Sequence, residues 1–160
     1  MSEPAIDIVL QNPNRYPEAG ARHLRPWLER LARSLVEREL PDVEEATLGV
    51  RFASDRELRR VNRDYRGKDK PTDVLSFPGT PEEIGEDGFH VGDILISVPT
   101  ARRQAAERGH APEQEIRTLL LHGLLHCLGY DHEADKDARV MEALETRLLR
   151  GLGYRDPYAT

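Results

Sequence analysis

A chain of 160 residues with 38% hydrophobic and 32% charged residues has the make-up of one globular domain, able to bury about two-thirds of its unfolded surface in a single core. No apolar run approaches the roughly 18 residues of a membrane span. The start MSEPAIDIVLQNP lacks the basic and apolar regions of a secretory signal, and the single cysteine forms no internal disulfide. The expectation is a cytoplasmic protein without membrane contact. The net charge of -6 leaves no global basic footprint, and DNA is not an expected partner.

In chain order, IDIVL at 6 to 10 alternates and is rich in branched residues, which predicts a strand, broken by the prolines of QNPNRYP. From 21 to 40, Leu24, Trp27, Leu28, Leu31, Leu35 and Val36 recur at helical spacing, and Pro41 closes the segment. ATLGVRFA at 46 to 53 predicts a second strand. Ser54 and Glu57 then form a capping box for a helix to about Arg63. The run RRVNRDYRGKDK at 59 to 70 is strongly basic, and its plain reading is a solvated basic loop. Two further strands are expected in TDVLSF at 72 to 77 and DILIS at 93 to 97, separated by the polar loop PGTPEEIGEDGFHVG. Residues 98 to 108 read as a helix ended by Gly109, and Pro112 opens another, with Glu113 and Glu115 at its positive end. A last helix from about 134 to 149 stops at GLG. The pattern predicts a single α+β domain over 1 to 160: a small mixed sheet of about four strands with about five helices.

Three of the six histidines lie in HGLLHCLGYDH at 122 to 132. Against the zinc-protease pattern H-E-x-x-H-x-x-G-x-x-H, every fixed position matches except the glutamate, which is Gly123. His122 and His126 are one helical turn apart and point to one side. Gly129 suits the left-handed residue that ends a helix, which lets His132 return toward the same point. Three neutral imidazoles with an open fourth position describe a catalytic zinc site. The helix around them is apolar on nearly every side, and buried imidazoles need polar partners or a metal. His23, His90 and His110 lack such a context, although His90 lies in the acidic loop and could approach the site. Cys127 falls well around the helix from His122 and reads as a buried apolar thiol. Met141, in a helical pattern, reads as packing.

Gly123 speaks against an ordinary protease, because in H-E-x-x-H enzymes that glutamate handles the proton of the metal-activated water. Glu115 lies about 10 Å along the axis from His122, too far to replace it. Asp131 suits a carboxylate that holds a ligand imidazole in its tautomer. Zinc on three neutral ligands keeps its full charge and attracts anions. Arg66, ahead of the 72 to 77 strand, offers a planar guanidinium suited to a phosphate oxygen, so the charge argument favours a phosphodiester over a peptide.

Taken together, HGLLHCLGYDH, YRGKDKPTDVLSFP, GDILIS and MEALE followed by LGYRDPY resemble the YbeY family of bacterial metal-dependent endoribonucleases. The resemblance implies a single α+β domain with one zinc per chain on His122, His126 and His132, with Arg66 as a functionally important arginine. It also implies cleavage of single-stranded RNA, a part in maturing ribosomal RNA, notably the 3′ end of the small-subunit RNA, and in ribosome quality control. Its partners would then be ribosomal RNA and the small subunit or its assembly factors. Two other readings are a zincin-like peptidase, opposed by Gly123, and a non-catalytic ribosome assembly factor stabilised by zinc.

Overall fold

Alternation of branched and small residues builds the sheet. Strand β1 (Ala5–Gln11) turns Ile8 inward, and β2 (Glu45–Ala53) buries Ala46, Leu48, Val50 and Phe52 at every second position. In this computed structural model, residues 3–79 and 88–130 are described. Between the first two strands lie two short 3-10 turns (Pro13–Arg15 and Pro17–Ala19) and helix α1 (Ala21–Glu39). After β2 come α2 (Asp55–Arg66), β3 (Val74–Pro78), β4 (Phe89–Ser97), α3 (Val98–Arg108) and α4 (Pro112–Cys127). The sheet order is β1-β2-β4-β3, with β1, β2 and β4 parallel and β3 antiparallel on the edge. The fold is therefore a mixed four-stranded sheet with four α-helices among the described residues. The helix expected from 134 to 149, and with it Met141, lies outside them.

The two faces of the sheet are covered differently. Ile94 and Ile96 of β4 join Leu48, Val50 and Phe52 of β2 in the main core, closed by the apolar stripe of α1 and by Ile116, Leu120 and Leu124 of α4. On the opposite face, Leu95 of β4 and Leu75 of β3 pack with Leu58 of α2 in a smaller cluster. Thus α2 and α4 both pack on β3, and the sheet lies between their cores.

Two boundaries differ from the sequence expectation. Helix α2 continues to Arg66, where Gly67 takes a positive φ of 70° and its N–H caps the helix on Arg63 and Asn62. Much of the basic run is therefore helix surface, not loop. Strand β4 starts at Phe89, so FHVG belongs to the sheet; Phe89 and His90 pair with Ala46 and Thr47, and the register then shifts by one residue before Leu48 meets Gly92. A strand whose partner is forty residues away in sequence leaves no local sign of that pairing.

Candidate functional site

Helix α4 carries Leu119, Leu120, Leu121, Leu124 and Leu125 into the core, while His122 and His126 remain half-buried. The two Nε2 atoms stand 3.1 Å apart, and the rings meet edge to face with centroids 4.6 Å apart. Zinc–imidazole bonds of about 2.0 to 2.1 Å at a tetrahedral angle place two ligand nitrogens roughly 3.3 Å apart. The pair therefore fits a shared metal ion. Among the described residues, no group of three or more His, Cys, Asp or Glu forms a metal cluster. His132 and Asp131 lie outside the described residues.

The helix ends as the glycine at 129 requires. Gly129 has a φ of 98°, its N–H donates to the His126 carbonyl at 3.0 Å, and the Tyr130 N–H donates to the Leu125 carbonyl at 3.1 Å. This is a Schellman closure. It turns the chain directly after the second histidine, as the spacing of the motif requires.

Gly123 is explained by packing. A Cβ at that position would lie 3.0 Å from Cγ2 of Ile94 and 3.3 Å from its Cδ1, so β4 occupies the space where a side chain would start. The position that carries the catalytic glutamate in proteases here faces the sheet. Cys127, one turn further on, packs against the main core. Burial, and secondarily Asp93, push its thiol up to about 12. It stays protonated at neutral pH, and the thiolate is the metal-binding form.

The other candidates fall elsewhere. His90 sits on β4 with Nδ1 2.7 Å from the Thr47 hydroxyl and Nε2 3.0 Å from Asp93 Oδ2. Both ring nitrogens are engaged within the sheet, so His90 stands on β4 and not in a loop. Glu115 is buried and receives a hydrogen bond from Arg108 Nη1 at 2.6 Å; His110 Nε2 is 3.9 Å from its other oxygen. Burial, opposed by the charges of Arg108 and His110 and assisted by Asp73, raises its pKa. This carboxyl ties α3 to α4. His23 is exposed on α1.

Arg66 stands at the free edge of the sheet. The Ser97 N–H donates to the Asp73 carbonyl and the Gly79 N–H to the Val91 carbonyl, which puts the odd-numbered residues of β3 in the hydrogen-bonded pairs. In the antiparallel register, Ser76 lies opposite Ile94, and its backbone groups point away from β4. Arg66 Nη2 donates to that outward carbonyl at 3.3 Å. On the same stretch of sheet, a Cβ at Gly92 would meet both the Cys127 sulfur and the Phe77 carbonyl at 2.6 Å. Cys127 thus lies over the β3–β4 pairing at Phe77, and Arg66 binds the preceding residue of β3 from the edge.

Sequence reasoning missed a groove of about 710 Å³ beside α2, lined by Arg51, Arg56, Glu57, Arg59, Arg60 and Arg63 among others. Its signal was present as arginines at helical spacing, in a basic run read only as solvated surface.

A family model described as Endoribonuclease YbeY matches residues 10–153. The Endoribonuclease YbeY of Alkalilimnicola ehrlichii is 48% identical over 114 residues, covering 71% of this chain and 69% of that protein. That of Rhodopseudomonas palustris is 40% identical over 163 residues, covering 98% and 82%. The solution structure of TM1509 from Thermotoga maritima is similar with a TM-score of 0.57 at 25% identity, over 97% of this chain and 99% of that one. A model spanning most of the chain, together with relatives at this identity, means that the chain belongs to the Endoribonuclease YbeY family.

Proposed function

We propose that the protein is a single-strand-specific, zinc-dependent endoribonuclease that takes part in ribosomal RNA maturation, notably at the 3′ end of the small-subunit RNA, and in ribosome quality control. It would act in the cytoplasm, with the small ribosomal subunit or its assembly factors as partners. Family membership supports RNA as the substrate. The observation that carries the zinc part is the His122–His126 pair, with equivalent ring nitrogens 3.1 Å apart on one face of α4.

His122, His126 and, by its place in the motif, His132 would hold one zinc per chain. Bound zinc supplies Lewis acidity at a phosphoryl oxygen and brings water to ionise near neutral pH. The apolar body of α4 fixes the two neutral imidazoles on a rigid element, so that the charge of a bound zinc would be left to draw an anionic substrate. Arg66 spends one N–H on Ser76, which orients the guanidinium and leaves other donors for a phosphate oxygen. Its work is positioning: a phosphodiester held by the guanidinium would meet its attacker in a fixed geometry. Gly123 carries no proton, so any proton that moves does so on another group. The peptidase reading is opposed by Ile94 at the glutamate position, and also by Arg66, which occupies an outward carbonyl of the edge strand that an extended peptide would need.

Metal-replete protein is incubated with single-stranded RNA and with an unstructured peptide, alongside His126→Ala. The expected result is RNA cleavage by the wild type alone, with the peptide intact. Peptide cleavage lost in the variant would favour the peptidase. RNA cleavage retained in the variant would remove this site from the chemistry, and an intact RNA throughout would favour a non-catalytic assembly factor.

A further inference from the structure

The surface of α2 concentrates positive charge that the histidine pair does not use. Arg56, Arg59, Arg60 and Arg63 are all exposed, and with Arg51 of β2 they line the 710 Å³ groove, where Glu57 and Asp69 are the acidic members. Arg51 is paired with Glu57 at 2.5 Å, Arg59 with Asp69 at 2.9 Å, and Arg63 with Asp64 at 3.0 Å. Arg56 and Arg60 have no ion pair among the described residues. Exposed arginines usually end as a solvated face. Here, however, they gather in a concave site on a chain of net charge -6, a local reversal of sign that focuses field on an anion.

The direction of the row matters as much as its charge. Arg59, Arg63 and Arg66 follow one another at i, i+4 and i+7, within about 60° on the helix surface. From Arg56 to Arg66 the axial distance is about 15 Å, which accommodates several phosphates at the roughly 3.4 Å axial spacing of a stacked strand. The row ends at Arg66, which is anchored on the edge carbonyl of Ser76. Arginine's planar fork suits phosphate oxygens, and the side chains that line the groove are charged or polar, with no aromatic ring among them.

We infer that this groove is a track for the phosphate backbone of the RNA strand, gripping it outside the bond that is cut and leading it to Arg66. The inference rests on the endoribonuclease reading and adds a substrate-binding surface to it. Contact is through the backbone, so it is independent of sequence and sensitive to salt. The Glu57 and Asp69 pairs hold two of the arginines in place, while Arg56 and Arg60 remain uncompensated until the strand arrives.

The test uses the full-length protein and a fluorescent oligouridylate of about fifteen nucleotides, enough to span the row. Arg56→Ala/Arg60→Ala removes the two uncompensated charges and leaves the three ion pairs. The expected result is an RNA KM and Kd raised at least about fivefold with kcat within about twofold, and a salt slope of binding reduced by about 1.4 for the two lost contacts. Unchanged KM, Kd and salt slope would overturn the track while leaving the endoribonuclease reading intact. Wild-type protein that binds the oligouridylate but cuts no RNA, with binding weakened in the variant, would support the track and fault that reading instead. Displacement of the RNA by an equal charge of polyglutamate at the same concentration would assign the groove to an acidic protein partner and overturn the proposal.

Discussion

At position 123, a glutamate would complete the peptidase pattern, and the obstacle to it is steric. With Ile94 Cγ2 3.0 Å from the Cβ position, a Cβ already forces the Ile94 side chain to give, and a long charged side chain has no room between α4 and β4. Gly123→Glu is predicted to lower stability by at least about 1 to 3 kcal/mol, the usual range for overpacking a core, and to create no peptidase. Urea denaturation and a peptide assay check this; wild-type stability with new peptide cleavage would contradict it. Arg66 provides a second test. Arg66→Glu replaces a charge-assisted contact with repulsion of the same phosphate, and RNA cleavage should fall at least about 10-fold, on the order of 1.4 kcal/mol. Zinc content should stay at the wild-type level and the melting temperature close to it, since only the Ser76 hydrogen bond is lost. Loss of zinc would instead mark Arg66 as structural. The histidine pair was legible from spacing, because i and i+4 on a helix decide a direction. The charge of Arg66 pointed to a phosphate, but its anchor on Ser76 was not legible, since it depends on how an edge strand is paired. His90 was misplaced for the same reason: beside glycines and acids it reads as loop until β2 provides its partner.

The helix starts are locked to each other by one carboxylate. Asp55, at the first turn of α2, accepts hydrogen bonds from the hydroxyls of Ser97 and Thr100 and from Arg103 at 2.9 Å. Ser97 in turn caps α3 by accepting from the Thr100 N–H at 3.4 Å. Burial raises the Asp55 carboxyl, but these hydrogen bonds and the Arg103 charge outweigh it and hold the pKa below the ordinary 3.8. A depressed acid stabilises the folded state above its unfolded pKa, and that stabilisation is lost as pH falls through the folded value. The urea-midpoint gap between wild type and Asp55→Asn should therefore be constant at neutral pH and narrow below pH 3.8. A gap that widens on acidification would contradict the assignment. Glu115 has the opposite sign: its raised pKa favours folding with the proton on, so its contribution is full below 4.5 and weakens as pH rises above that value. Helix existence and caps were legible because Ser54, Gly109 and Pro112 act locally. The extra turn of α2 was not. It depends on Asn62, which reaches from inside the helix to the Lys70 carbonyl at 3.0 Å.

Across the whole fold, as far as the described residues go, a four-stranded sheet separates α2 from α4. Helix α4 packs on one face and α2 on the other, while β3, the antiparallel edge strand, meets both. Cys127, next to His126, and Arg66 are far apart in sequence, yet the Cys127 sulfur and the Phe77 carbonyl crowd one point over Gly92 while Arg66 donates to Ser76, the preceding residue of β3. Among the described residues, no helix is long and apolar enough to cross a membrane. The α+β class and the order of elements followed from periodicity and turn residues, which are local properties. The strand order, which creates the edge, is a property of long-range pairing and was not legible. The most direct test of the account is a zinc titration of metal-free protein, following the initial rate of single-stranded RNA cleavage in the wild type and in His126→Ala. The account predicts a wild-type rate that rises linearly and breaks at one zinc per chain, with no rise in the variant. A rate independent of zinc, or an equal rise in His126→Ala, would contradict it.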